Sequence, residues 1–130
     1  MHAYARLLIG EGLHSRAQTH LNEDEIDMRI FVLFNLKPGV DKAAYVAWAK
    51  STDLPIVRGL ASIEAFEVFE ISGMLGSDQP PPYQYIEVVD VGDMDQFGKD
   101  VAQDMMQRVA AEFQTFATPQ FLLSKSVEAI

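Results

Sequence analysis

The chain has 130 residues, 48% of them hydrophobic, enough for one domain with its own core and too apolar for a disordered chain. Nineteen acidic residues against ten basic ones give a formal charge of −9, which repels phosphate backbones and anionic lipid, so neither a nucleic acid nor a membrane is expected as a partner. The absence of cysteine excludes disulfides, thiolate nucleophiles and thiolate metal sites and fits a cytoplasmic protein, and no apolar run approaches the roughly 20 residues of a membrane span.

Residues 1–27 read as an N-terminal extension, either a short helix on the loose spacing of Leu7, Leu8 and Leu13 or a flexible arm. Its apolar centre, "LLIG", is too short for a signal peptide, and the extension holds all three histidines, His2, His14 and His20. The folded domain is expected to span residues 28–130. "MRIFVLFNLK", residues 28–37, is rich in β-formers and reads as a buried strand ended by Pro38 and Gly39. Asp41 is placed to cap a helix to about Thr52, with Ala44 and Trp48 on its apolar face. "TDLPIVRGL" then reads as a loop broken by Pro55 and Gly59.

"ASIEAFEVFEIS" alternates as a second strand, with Ile63, Ala65, Glu67, Phe69 and Ile71 on one face and Glu64, Phe66, Val68 and Glu70 on the other. After the loop "GMLGSDQPPP", "YQYIEVVDV" is a third strand, with Tyr83, Tyr85, Glu87 and Val89 on one face. The three prolines hold the chain extended and cannot donate to a ladder, so they end the connection. Residues 92–116 read as one helix capped by Asp93 or Asp95, with Gly98 as its weak point and Met94, Phe97, Val101, Met105, Val109 and Phe113 as its apolar stripe. "TPQFLLSKSV", opened by Pro119, is a fourth strand.

The order β-α-β-β-α-β predicts a ferredoxin-like α+β sandwich, a four-stranded antiparallel sheet with both helices on one face. Because the strands carry apolar residues on both sides, the other face would be bare, and a second copy packed sheet to sheet is the economical cover. A homodimer is therefore expected.

From Met28 onward there is no His and no Cys, so zinc, His-ligated haem and a Ser-His-Asp triad all lack their key residue, and neither metal nor cofactor is expected. Tyr85 and Glu87 share a strand face. If it looks inward, Glu87 is desolvated, its pKa rises and it can act as acid or base with Tyr85 as partner, and Glu67 can join them; if it looks outward, both are surface residues. Asp53 is a candidate base and Arg58 a candidate holder of an anionic or carbonyl oxygen, against the plainer role of a solvated pair. Tyr45 and Trp48, three apart on a helix, can line a pocket or simply pack it onto the sheet. Methionines such as Met94, Met105 and Met106 read as core filler, and "DVGDMD" lacks the spacing of a calcium loop.

The set "IFVLFNLKPGVD", "YVAW" and "DLP", followed by "FEVFEISG" and "PPPYQYIEVVDVGDMDQFGKDV", resembles the HapK-like, or REDY-like, family of the dimeric α/β-barrel superfamily over residues 28 to about 127. The resemblance implies a ferredoxin-like dimer acting on a hydrophobic aromatic or pyrrolic metabolite, in the making of red tripyrrole pigments of the prodigiosin type. Superfamily members that are cofactor-free oxygenases hold phenolic substrates with Asn, Tyr and Trp, which by resemblance points to Asn35, Tyr45 and Trp48. Haem-degrading relatives add a His that this domain lacks. A cofactor-free monooxygenase and a non-catalytic dimeric accessory or stress-related module are the alternatives, so the sequence leaves catalysis itself open.

Overall fold

A computed structural model describes residues 26–128, so the extension, but for Ile26 and Asp27, lies outside the described residues. Alternation builds the sheet. In β1 (Met28–Phe34) the side chains of Ile30, Val32 and Phe34 are buried, while Phe31 and Leu33 are half-buried on the reverse face. With β2 (Ile63–Glu70), β3 (Tyr85–Val91) and β4 (Gln120–Leu123) it forms an antiparallel sheet of order β2-β3-β1-β4, the ferredoxin-like arrangement. Each strand is shorter than its apolar run. Pairing of β1 lapses after Phe34, and just before β3 the Gln84 amide is shared between the Phe34 carbonyl at 3.2 Å and the Asn35 side chain at 2.8 Å.

Register fixes the faces. Val32 lies opposite Glu87, Phe34 opposite Tyr85, Phe66 opposite Val89 and Glu70 opposite Tyr85, so all of these share the face that carries the helices. A bulge at Glu64 shifts the pairing and returns Ile63 to that face, not the Ala65–Glu67 face that plain alternation gives. Phe31, Leu33, Ile86, Val88, Phe69 and Leu122 project from the opposite face, and none of them joins the main core.

The helical layer departs from expectation at two places. α1 (Lys42–Trp48) is capped by the Asp41 carboxylate, which accepts from the Ala43 amide at 3.2 Å, after Gly39 turns the chain at φ +84. Tyr45 and Ala49 form its buried face, with Trp48 alongside and Ala44 exposed. The chain does not become a loop after Thr52. It passes through a π-helical turn, Ala49–Asp53, into α2 (Leu54–Arg58), and only Gly59 ends the helical path. Pro55 falls in the first turn of α2, directly after the π-helical turn, whose bonding already departs from the i−4 ladder that proline interrupts.

The long C-terminal helix is two. α3 (Met94–Val101), capped by Asp93, and α4 (Asp104–Phe116) are separated at Ala102 and Gln103, not at Gly98. The break resets the helical phase. Met94, Phe97 and Val101 are buried before it, and Met106, Val109 and Phe113 after it, while Met105 is left exposed. Buried Asp100 ties this corner to the sheet by accepting from the Ser62 amide at 3.0 Å and from Gln96 at 2.8 Å.

Candidate functional site

Four buried polar side chains converge where α1, the π-helical turn and β3 meet. Tyr45 comes from α1, Asp53 from the turn, and Tyr85 and Glu87 from β3, all 3% exposed or less. Regular helix geometry does not account for Asp53. The extra residue of a π turn rotates the following side chains, and here an acidic side chain ends inside the core instead of in solvent. Glu87 points inward because its strand neighbours Tyr85, Val89 and Val91 do, and the alternation of β3 allows it no other direction.

Aromatic rings wall this cluster. Phe34 stacks on Tyr85 with centroids 5.3 Å apart, and Tyr45 meets Tyr85 edge-on at 4.9 Å. Trp48 lies parallel to Phe113 at 5.9 Å, and Phe116 closes against both Tyr45 and Trp48. The Trp48 indole N–H donates to Glu112 at 2.8 Å, which fixes its plane.

Inside these walls the polar atoms are unmatched. Among the described residues, neither oxygen of Asp53, neither oxygen of Glu87, and neither hydroxyl of Tyr45 and Tyr85 has a hydrogen-bond partner. Each such group left unpaired costs roughly 1–3 kcal/mol of stability, more if it is charged. Ionisation is correspondingly suppressed. Burial pushes the Asp53 carboxyl up to about 7. Burial, and then the nearby Asp53 charge, holds Glu87 well above the usual carboxylate range. The Tyr45 phenol is raised by burial first and then by Glu87, Asp53 and Tyr85. Tyr85 is raised by burial and by Glu70, with Lys42 acting against them. Near neutral pH the cluster therefore sets Asp53, close to half-titration, beside a Glu87 whose burial favours the protonated form, a pairing suited to proton donation and acceptance.

The structure thus brings Tyr45, Asp53, Tyr85 and Glu87 together, with Trp48 in the wall. It does not bring in Asn35 or Arg58. The exposed Asn35 amide is spent on backbone, donating to the Pro82 carbonyl at 3.0 Å and accepting from Gln84, so it clasps the proline loop to β1. Arg58 donates to the Phe66 carbonyl at 2.9 Å and pairs with Glu67 at 3.3 Å. Glu67 lies on the open face. The carboxylate that reaches Tyr85 is that of Glu70, held by Lys42 in an exposed ion pair. Glu70 was legible as the strand partner of the Phe66 face, whereas Phe113 and Phe116 as walls had no signal beyond their helical spacing.

Cavities lie elsewhere among the described residues. An apolar void of about 20 Å³ lies between Ile30, Val57, Phe97 and Met106, and an open groove of about 640 Å³ follows Met28, Arg29, Phe31 and Ser124. Neither of these is lined by Trp48 or by the four polar residues. Among the described residues there is no group of three or more side chains placed to hold a metal ion, and no helix is long and apolar enough to cross a membrane.

Because the Tyr45 hydroxyl bonds to nothing, it contributes nothing to the fold. Tyr45→Phe should leave stability unchanged or raise it by about 1 kcal/mol, whereas Tyr45→Ala should cost about 3–5 kcal/mol through the cavity it opens. Urea denaturation of the two variants measures both. A Tyr45→Phe variant destabilised by more than about 1 kcal/mol would mean that the hydroxyl has a structural partner.

The family model for the REDY-like protein HapK matches residues 28–127. Among solved structures, HapK from Hahella chejuensis is 21% identical at a TM-score of 0.64, with 78% of this chain and 94% of that one covered. SnoaB from Streptomyces nogalater, described as a cofactor-independent oxygenase, is 12% identical at a TM-score of 0.63, with coverage of 82% and 98%. A Dabb family protein with a ferredoxin-like fold from Mesorhizobium loti is 12% identical at a TM-score of 0.60, with coverage of 78% and 97%. No curated protein matches the chain.

Proposed function

The chain belongs to the family of the REDY-like protein HapK, and on that premise we propose that it binds and transforms a flat hydrophobic aromatic or pyrrolic metabolite at the Tyr45–Asp53–Tyr85–Glu87 cluster. The observation that carries this reading is the set of six buried, unpartnered oxygens inside an aromatic wall. A fold under selection for stability alone has no use for them, because apolar residues of the same shape would serve better. A ligand that supplies their missing partners turns the same atoms into a recognition surface.

In this reading Glu87 donates a proton, Asp53 accepts one, the two tyrosines orient the polar edge of the ligand, and Phe34, Trp48, Phe113 and Phe116 stack on its faces. Entry runs past Tyr85 on the side of the exposed Lys42–Glu70 pair, and such a pair opens easily in water. Family membership supports a place in secondary-metabolite assembly of the prodigiosin type, in the cytoplasm. The open sheet face supports a homodimer in which a second copy covers it.

Trp48, the single tryptophan of the chain, reports binding directly. Titration with phenolic and pyrrolic compounds should quench its fluorescence saturably, and Glu87→Gln should abolish turnover of any compound that is consumed. If no member of such a panel perturbs Trp48, the small-molecule reading fails. Oxygen uptake with a bound phenol in metal-free buffer would assign the chemistry to the class of the SnoaB-like oxygenases.

A further inference from the structure

The cluster differs from an ordinary apolar pocket in its balance of donors and acceptors. Asp53 and Glu87 offer four carboxyl oxygens, while the nearby unpartnered donors are the two phenols of Tyr45 and Tyr85. Two carboxylates near one another do not by themselves mark a site. The tyrosine hydroxyls are the independent sign, because both are buried and unpartnered, and the Tyr45 ring meets Tyr85 at 4.9 Å.

Among the described residues no basic side chain bonds to Asp53 or Glu87. Lys42 is engaged by Glu70, Arg58 by Glu67 and the Phe66 carbonyl, and Arg29 by Asp90 on the opposite face of the sheet. A buried carboxylate gains most from a positive charge in the low dielectric around it. A neutral aromatic without N–H donors would leave the carbonyl oxygens unmatched, and an anionic one would add negative charge beside two acidic groups. A compact metal ion needs more ligands than the described residues gather. The aromatic surroundings favour a flat, delocalised cation, since aromatic rings attract positive charge and Phe34, Tyr85, Trp48 and Phe113 wall the cluster.

We propose that this site selects a planar nitrogen cation, of the amidinium or protonated heteroaromatic kind, whose adjacent N–H groups donate to the Asp53 and Glu87 carboxyl groups. The inference rests on the site assigned under the proposed function and narrows its ligand. Binding takes one carboxyl proton off the Asp53–Glu87 pair and passes it to the buffer, so that one carboxylate balances the single positive charge of the ligand and the other carboxyl accepts through its carbonyl oxygen. The charged and titratable groups facing this exchange are Tyr45 from α1, Asp53 from the π turn, and Tyr85 and Glu87 from β3, with Lys42 and Glu70 at the rim.

Benzamidine, benzamide and benzoate place a cation, a neutral amide and an anion on the same ring, so titrating each against Trp48 fluorescence isolates charge. Benzamidine should bind at least about ten-fold more tightly than benzamide, and benzoate should not bind. Calorimetry in buffers of different ionisation enthalpy should show proton release with benzamidine. The preference should disappear in Glu87→Gln and in Asp53→Asn/Glu87→Gln, both checked for native near-ultraviolet circular dichroism. Benzamide or benzoate binding as well as benzamidine, or no benzamidine binding at millimolar concentration, overturns the cation assignment. If phenols and neutral pyrroles still bind, the broader small-molecule reading survives that result; if they also fail, both fall.

Discussion

The melting temperature should fall by about 10 °C or more between about pH 5 and about pH 8, and Asp53→Asn/Glu87→Gln should remove most of that fall. Both carboxyls have folded pKa values above their unfolded ones, Asp53 by burial to about 7 and Glu87 by burial and then by the charge of Asp53. Over this range the folded chain holds protons that the unfolded chain releases, so stability decreases with pH. The contribution is complete below the unfolded carboxylate range near 4, and it is lost as the pH climbs through about 7 and beyond. Each group can contribute up to about 1.4 kcal/mol per pH unit, and 1 kcal/mol moves the midpoint of a domain this size by about 4–8 °C.

A charge of −9 acts in the same direction, because self-repulsion relaxes as an acidic protein is titrated toward its isoelectric point. The double amide variant separates the two causes. It keeps every surface charge and removes only the buried pair, so it should match the parent near pH 5 and exceed it near pH 8. Asp100 works in the opposite sense: burial pushes its carboxyl up, but hydrogen bonds from Ser62 and Gln96 outweigh that and leave it lowered, so its contribution is lost only on acidification. Parallel stability curves for parent and variant would mean that Asp53 and Glu87 titrate in the folded chain as they do in the unfolded one. The electrostatic basis of the site would then be gone.

This pair also marks how far the sequence could be read. Alternation located the second and third strands, β-former content the first and the opening Pro119 the fourth, and their order led to the sheet. Alternation could not say which face of β3 looks inward, because Ile86 and Val88 on one side are as apolar as Val89 and Val91 on the other. The inward direction of Glu87 comes from the packing of Val32 and Val68 against it in register, a long-range fact. Asp53 was visible as a candidate base, but in a loop that "DLP" seemed to open. The π-helical turn that buries it follows from continued packing of Val57 onto the core, not from a local signal. The division of the C-terminal helix at Ala102 and Gln103 has no Gly or Pro to announce it, and Met105 and Met106 exchange exposure as a result. Asn35 was attractive as a polar residue next to aromatics, but its amide matches the two backbone groups of the proline loop, a use that residue type cannot reveal.

Sedimentation at micromolar concentration should give twice the 14.5 kDa chain mass, and Val88→Asp should return a folded monomer. Val88 lies opposite Phe31 on β1 and Glu67 on β2, near the middle of the face that carries no helix. Around it Phe31, Leu33 and Ile86 are half-buried, and at the margins Phe69 is 50% and Leu122 43% exposed. Apolar area removed from water contributes roughly 25 cal/mol per Å², and a specific interface buries about 800 Å² on each partner, so such a face covered by its own copy is well placed to dimerise. A two-fold axis through the face brings each Val88 close to its symmetry mate. Aspartate there would bury two like charges without partners, several kcal/mol against association, while leaving the helix-side core untouched. Because each copy carries −9, long-range repulsion opposes the encounter, and the dimer should tighten as salt screens it, the reverse of an interface held by ion pairs. A parent chain that sediments as a monomer, or a dimer that Val88→Asp leaves intact, would remove the sheet-to-sheet pairing.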